Sequence, residues 1–344
     1  MTVLVSGANG YIAEHIVNEL LNQDYKVIGT VRSEAKADKL FKQFGSNPNL
    51  ILEVVEDISD LHAFDEVFKK YASEIKYVLH TASPFTLDVE DYVKELFIPA
   101  LHGVKAMLHA VEKYGATTVE RFVLTSSYAA IMDFDKEMVP GTIFTETSWN
   151  PDNWEKAQES VGRAYNGSKV FAEREAWNFI EEKGDRVKFK LSVVNPVYVF
   201  GPHVFDEDVS VKMNTSCEII NKAVHTSANT IVHPFETFGS FVDVRDVARA
   251  HLLAFQRKDL IGKRLLMDAG RFSTQDIFDV LNQEIPVLKG KVPVGKPGTG
   301  GQHNNIGATV DNRLTCELLG FEFTSFKKTI VDTAQQILKH DGSH

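Results

Sequence analysis

Three features of the sequence predict an α/β fold built on a doubly wound parallel sheet. Through the first two thirds of the chain, short runs rich in β-branched residues alternate with amphipathic helical patterns, as successive βαβ units require. The runs are apolar throughout, so helices must cover both of their faces. The first run also passes through a glycine-rich turn directly into a helix. The expected strands are Val3 to Ser6, Lys26 to Val31, Leu50 to Val55, Tyr77 to Thr81, Arg121 to Ser126 and Phe189 to Asn195. Helices are expected over Ile12 to Leu21, Ala63 to Tyr71, Val93 to Tyr114 and Tyr165 to Glu182.

The regularity weakens after Asn195-Pro196, which predicts a first domain over 1–196 and a second, smaller C-terminal region over 197–344. Segments near 237–268 are expected to return to the first domain. Phe241 to Gln256 reads as a strand end feeding a helix, Thr274 to Glu284 and Phe326 to His340 as helices, and Lys289 to Gly301 as a loop. With 344 residues, 43% of them hydrophobic, the chain can bury a core large enough for both parts.

A formal net charge of -10, with no cluster of Lys and Arg to offset it, argues against nucleic acid or an anionic membrane surface as partner. The two cysteines, Cys217 and Cys316, are far apart and suggest neither a disulfide framework nor a cysteine-rich zinc site. The first residues run straight into a strand, and no run of about 20 apolar residues occurs, so neither secretion nor a membrane span is expected. The cytosol is the expected compartment. The 12 histidines show no His-Glu-x-x-His or comparable spacing, so no metal is implied. Monomer and homodimer both remain open.

The turn after the first strand reads Gly7-Ala8-Asn9-Gly10-Tyr11-Ile12-Ala13, a G-x-x-G-x-x-A form of the dinucleotide fingerprint. Glycine lets the backbone turn tightly and approach a pyrophosphate, and the helix that follows aims unpaired N–H groups at the anion. The chain therefore reads as a Rossmann-type domain, with Gly7, Asn9, Gly10, Tyr11 and Ile12 beside the cofactor. An NAD site places Asp or Glu at the end of the second strand, where it accepts the ribose hydroxyls. Here Val31 is followed by Arg32, with Lys36 one helical turn on, so the 2′-phosphate of NADPH is the better match. Asp57 and Ile58, after the third strand, suit the adenine, although Asp57 serves equally as a cap.

Tyr165-Asn166-Gly167-Ser168-Lys169 puts a phenol and an ammonium on one face of a helix. Hydride addition to a carbonyl leaves an alkoxide that needs a proton donor within reach, and a fixed cation makes a phenol a better donor. Ser127, at the end of the fifth strand, can give the developing oxyanion a second hydrogen bond.

The glycine turn, the Ser and the Tyr-x-x-x-Lys, in this order, resemble the extended short-chain dehydrogenases/reductases over essentially the whole chain. His80 to Phe85, Tyr165 to Lys169 and Asn195 to Pro202 resemble the dihydroflavonol-4-reductase-like branch, and within it the yeast NADPH-dependent methylglyoxal and 3-methylbutanal reductases. That likeness extends to Asn214-Thr215-Ser216-Cys217-Glu218 and to Asp243-Val244-Arg245-Asp246. It implies an NADPH-dependent carbonyl reductase in which Tyr165 donates the proton, Lys169 lowers its pKa and holds the nicotinamide ribose, and Ser127 orients the carbonyl. Thr81, Ala82, Ser126, Pro196, Val199 and Ser216 would lie along the cofactor. Where many such reductases carry Asn-Asn-Ala-Gly, this chain has His80-Thr81-Ala82-Ser83, so the source of the replacement proton is not identified. Phe85, Tyr128, Met132 and Tyr198 follow cofactor-facing strand ends and are candidates for the wall of an apolar pocket for small aldehydes and ketones. The alternatives are an NAD-dependent sugar-nucleotide epimerase or dehydratase, and a regulatory protein that binds NADPH without turnover.

Overall fold

The computed structural model describes residues 1–83, 89–210 and 213–342. In chain order its strands are β1 (Thr2–Ser6), β2 (Lys26–Val31), β3 (Leu50–Val54), β4 (Ile75–His80), β5 (Arg121–Thr125), β6 (Ile143–Thr145), β7 (Lys190–Pro196), β8 (Tyr198–Phe200), β9 (Phe238–Asp243), β10 (Arg264–Met267), β11 (Gly270–Ser273) and β12 (Thr309–Asp311). The helices are α1 (Tyr11–Asn22), α2 (Glu34–Gln43), α3 (Asp65–Tyr71), α4 (Ile98–Gly115), α5 (Val161–Lys183), α6 (Cys217–His225), α7 (Val244–Gln256), α8 (Thr274–Glu284), α9 (Arg313–Leu319) and α10 (Phe326–His340).

Seven parallel strands form the main sheet in the order β10-β7-β5-β4-β1-β2-β3. The chain starts in the middle of this sheet and winds outward both ways, so the direction reverses between β1 and β4. A crevice opens beyond the carboxyl ends of the strands at such a point. The strand period of two decides what covers each face. Val3 and Val5 of β1 pack with Ile16 and Leu20 of α1 and Val247 of α7, while Leu4 meets Phe68 of α3, Met107 of α4 and Ala176 of α5.

Two helices differ from expectation for local reasons. The helix expected from Val93 begins as a π-helical turn over Val93–Phe97, and α-helix follows only from Ile98, with Pro99 in its first turn. Proline has no N–H to donate, which favours a shift in the hydrogen-bond register at that point. The helix carrying Tyr165 begins four residues early, at Val161, because the Ser160 hydroxyl caps it by accepting from the Arg163 amide at 3.3 Å.

Beyond residue 197, β8, β9 and β11 form a second sheet and share a core with α6, α8 and α10 that includes Phe200, Phe241, Phe272, Phe278 and Ile330. β6 pairs in parallel with β12, so a segment from early in the chain joins one from near its end. β10, α7 and Leu319 of α9 pack with the main sheet. Among the described residues, no helix is long and apolar enough to cross a membrane.

A buried ionic cluster ties these parts together. Glu173 of α5 is fully buried, and its carboxylate accepts from Arg264 Nε of β10 at 2.6 Å, Ser126 Oγ at 2.6 Å, Asn195 Nδ2 at 2.7 Å and Trp177 Nε1 at 3.2 Å. Arg264 also donates to the carbonyls of Glu146 and Ser148, at 2.9 and 2.5 Å, and its guanidinium lies 3.9 Å from the Trp149 ring centroid. Removing one partner of such a pair leaves a buried charge without compensation, at a cost of about 3–5 kcal/mol. Glu173→Leu is therefore expected to lower the unfolding free energy by about that amount in urea denaturation. A change below about 1 kcal/mol would assign the pair no role in holding the fold.

Candidate active site

At the switch point the ends of β1 and β4 are clipped together. Ser6 Oγ accepts from the amides of Thr81 at 3.1 Å and Ala82 at 3.0 Å, and it lies 2.9 Å from His80 Nδ1. With both lone pairs taken, the hydroxyl donates its own proton to Nδ1, so the imidazole carries its proton on Nε2. Burial holds the ring neutral, its pKa pushed down to about 3. Thr81 Oγ1 donates to the Ser6 carbonyl.

This clip sets the floor beneath the glycine turn. Gly7 has φ +65°, and a Cβ there would sit 3.2 Å from both Cα and Cβ of Ala82, so glycine satisfies both the left-handed conformation and the close approach. Gly10 is the N-cap of α1 and supplies no side-chain bond, which leaves the leading N–H groups open to an anion. Asn9 and Ile12 are partly buried at this turn. The Tyr11 phenol points elsewhere, donating to the Gly201 carbonyl at 2.7 Å and accepting from the Cys217 thiol at 3.3 Å. Tyr11 thus offers the crevice its amide and not its hydroxyl.

Arg32 follows the last residue of β2, and Lys36 lies in the first turn of α2. Both are exposed, and neither closes an ion pair with the described residues. Asp57 does act as a cap, its Oδ1 accepting from the Ser59 amide at 2.8 Å and hydroxyl at 2.7 Å. These bonds, helped by the Arg32 charge, hold its carboxyl below the usual range. Ile58 is buried beside Gly103 of α4.

Ser127, two residues past β5, caps a short 3-10 turn by accepting from the Ala129 amide at 3.1 Å. Its hydroxyl stands beside the Tyr165 phenol, near enough to favour the phenolate. Lys169, one turn along α5, places Nζ 5.7 Å from the Tyr165 ring centroid and donates to Ser83 Oγ at 2.9 Å. Burial pushes the Tyr165 phenol up, opposed by the nearby Ser127 hydroxyl, and pushes the Lys169 ammonium down to about 8. The Ser168 hydroxyl ties back to the Tyr165 carbonyl at 2.7 Å. Gly167 lets α5 lie close to the preceding segment, since a Cβ there would be 2.5 Å from Ala157 Cβ.

A cavity of about 360 Å³ opens beside these groups, lined by Ser127, Tyr165, Pro196 and Ser216 and by the expected Tyr128, Met132 and Tyr198. Phe85 lies outside the described residues. Two expected cofactor residues turn their side chains inward: Ser126 gives its hydroxyl to Glu173, and Val199 is buried in the core. Phe134, Glu137, Arg271, Ile306 and Val310 also line the cavity and were not anticipated. The long-range pairing of β6 with β12 brings several of them there, and local sequence carries no signal of that pairing. Arg271 donates to the carbonyls of Ala308 and Ile306, at 2.9 and 3.0 Å, and burial raises the Glu137 carboxyl pKa.

The NAD dependent epimerase/dehydratase family model matches residues 3–267. The NADPH-dependent methylglyoxal reductase GRE2 of Saccharomyces cerevisiae is 56% identical over 342 residues, covering 99% of each chain. A putative NADPH-dependent methylglyoxal reductase, GRP2 of Candida albicans, is 42% identical over 342 residues, covering 98% of each. Among solved structures, the yeast methylglyoxal/isovaleraldehyde reductase Gre2 complexed with NADPH superposes with a TM-score of 0.96 at 55% identity, covering 100% of both chains.

Lys169 sets an expected pH dependence. Its ammonium persists below about 8 and is lost above it, whereas Tyr165, shifted upward, stays protonated. Any reaction that needs the cation to stabilise a Tyr165 phenolate should show kcat/KM level at neutral pH and falling toward tenfold per unit above about 8. A pH–rate profile checks this, and a flat profile to pH 10 would remove Lys169 from the proton-transfer step.

Proposed function

We propose, on the premise that the chain belongs to the NAD dependent epimerase/dehydratase family, that it is an NADPH-dependent reductase of small aldehydes and ketones. The observation that carries this reading is the Tyr165 phenol, beside the Ser127 hydroxyl and Lys169, at the wall of a small cavity. The glycine cradle, the uncapped start of α1 and the two exposed cations after β2 fit the pyrophosphate and 2′-phosphate of NADPH. In this reading Thr81, Ala82, Pro196 and Ser216 lie along the same crevice.

NADPH, when bound, supplies the hydride. The chain's own residues handle position and proton. Ser127 orients the carbonyl oxygen, and Tyr165 gives it a proton as its negative charge grows. The Lys169 ammonium stabilises the phenolate left behind, and Ser83, which accepts from Lys169, is the first group through which a proton can return.

A cavity of about 360 Å³ is at the small end for ligand pockets, which suits compact carbonyl compounds. The relatives are named for methylglyoxal and isovaleraldehyde, and these with other branched aldehydes, diketones and keto esters are the substrates proposed here. The epimerase alternative would need a carboxylate at the end of β2, where Arg32 stands. The regulatory alternative does not explain an intact Ser127, Tyr165 and Lys169. A cytosolic location, with no nucleic-acid partner, completes the proposal.

Tyr165→Phe removes the proton donor and little cofactor contact, so kcat should fall about 10²-fold or more while NADPH titration is nearly unchanged. Near-normal turnover in the folded variant would sink the assignment. Arg32→Asp removes one cation and adds an acceptor for the bare ribose. A charge-assisted hydrogen bond contributes roughly 1.5–3 kcal/mol, so the ratio of kcat/KM for NADPH over NADH should drop at least about tenfold. An unchanged ratio would show that Arg32 is a solvated surface charge.

A further inference from the structure

We propose that His62, Asp65 and His109 bind a first-row transition cation of the zinc class, joining α3 to α4 at a site apart from the catalytic cavity. His62 precedes α3, Asp65 opens it, and His109 lies within α4. One ring nitrogen or carboxylate oxygen from each falls within 4.8 Å of the others. The two imidazoles meet edge to face with centroids 5.3 Å apart, and His62 Nδ1 is 3.3 Å from Asp65 Oδ2.

Two orphaned atoms point to a cation. Asp65 is only 7% exposed, and both its Oδ1 and His109 Nε2 are buried with no hydrogen-bond partner among the described residues. Buried polar atoms without partners are uncommon and call for a physical cause. These two do not satisfy each other, but as lone-pair donors both are satisfied by one metal ion. The other carboxylate oxygen is already held, with Oδ2 accepting from Lys113 Nζ and Tyr114 Oη, both at 3.0 Å. Such outer contacts fix a ligating carboxylate and leave its second oxygen for the metal.

Two imidazoles and one carboxylate suit zinc, whereas magnesium and calcium prefer all-oxygen sets. Zinc ligands stand about 2.0–2.2 Å from the ion, so the cluster must contract on binding. The His62 side chain is 65% exposed and can swing inward, and Lys113, whose charge opposes the metal, is 45% exposed and can turn outward. Sequence spacing could not show the site, because its halves are brought together only by the packing of α3 on α4.

The test is titration of EDTA-treated protein with zinc chloride, followed by Tm, and with cobalt chloride, followed by visible absorption. Saturable binding of a single equivalent should raise Tm, and cobalt should give ligand-field bands typical of imidazole coordination. His62→Gln and His109→Gln should each weaken affinity at least about tenfold while carbonyl reduction is retained as the check on folding. His62→Gln changes an exposed side chain, so it keeps the test sound if His109→Gln folds poorly. No zinc-dependent shift in the wild type, or equal affinity in the wild type and His62→Gln, would overturn the proposal.

Discussion

The buried pair of Glu173 with Arg264 is the constraint on which the rest of the site depends. A fully buried carboxylate is costly unless every lone pair is used, and here a guanidinium, a hydroxyl, a carboxamide and an indole all converge on it. Those partners come from β10, the end of β5, β7 and α5 itself. Asn195 also reaches the Ser127 carbonyl at 3.1 Å, so the cluster touches the backbone of the serine that lines the cavity. Tyr165, Lys169 and Glu173 follow one another at four-residue intervals along α5. The helix that presents the phenol and the ammonium to the cavity is therefore anchored one turn deeper by the carboxylate.

Burial has opposite consequences at the two ends of this arrangement. Around Glu173 it strengthens bonds that are all satisfied and makes the geometry hard to change. Around Lys169 it leaves a cation whose one hydrogen-bond partner among the described residues is the neutral Ser83 hydroxyl, and the ammonium is destabilised toward about 8. A lysine so placed gains most when a negative charge forms nearby, as happens when Tyr165 loses its proton. The rigidity of the first cluster keeps the second in register for that moment.

The main sheet was legible in the sequence because its information is local: a strand period, a glycine turn and a helix start are each written within a few residues. Gly7, Gly10, Ser127, Tyr165 and Lys169 could be picked out for the same reason, since each stands at a fixed offset from a strand end or within one helical turn. Glu173 was not singled out, because an acid within a helix reads as a solvated charge until packing buries it. The cavity wall was half legible. Tyr128, Met132 and Tyr198 follow main-sheet strands and line the cavity, whereas Phe134, Glu137, Ile306 and Val310 arrive through the β6–β12 pairing between distant segments. Side-chain direction was the other thing sequence could not supply: Ser126, Val199 and the Tyr11 phenol stand beside the crevice in sequence and turn away from it in space.

This division has a physical consequence for specificity. Ser127, Tyr165 and Lys169 sit on elements held by the Ser6–His80 clip and the Glu173 cluster, so they tolerate little movement. The opposite wall of the cavity rests on a short ribbon and on Arg271, which is fixed by two carbonyl contacts to the segment over 306–308. Substitutions on that wall can reshape the cavity without displacing the phenol or the ammonium. A change of one methylene in such a pocket alters discrimination by only about 1–3 kcal/mol, so substrate preference can shift gradually while the chemistry stays intact. Glu137, whose carboxyl burial shifts toward the neutral form, and the Arg271 guanidinium both line that wall, so charge as well as shape is set there.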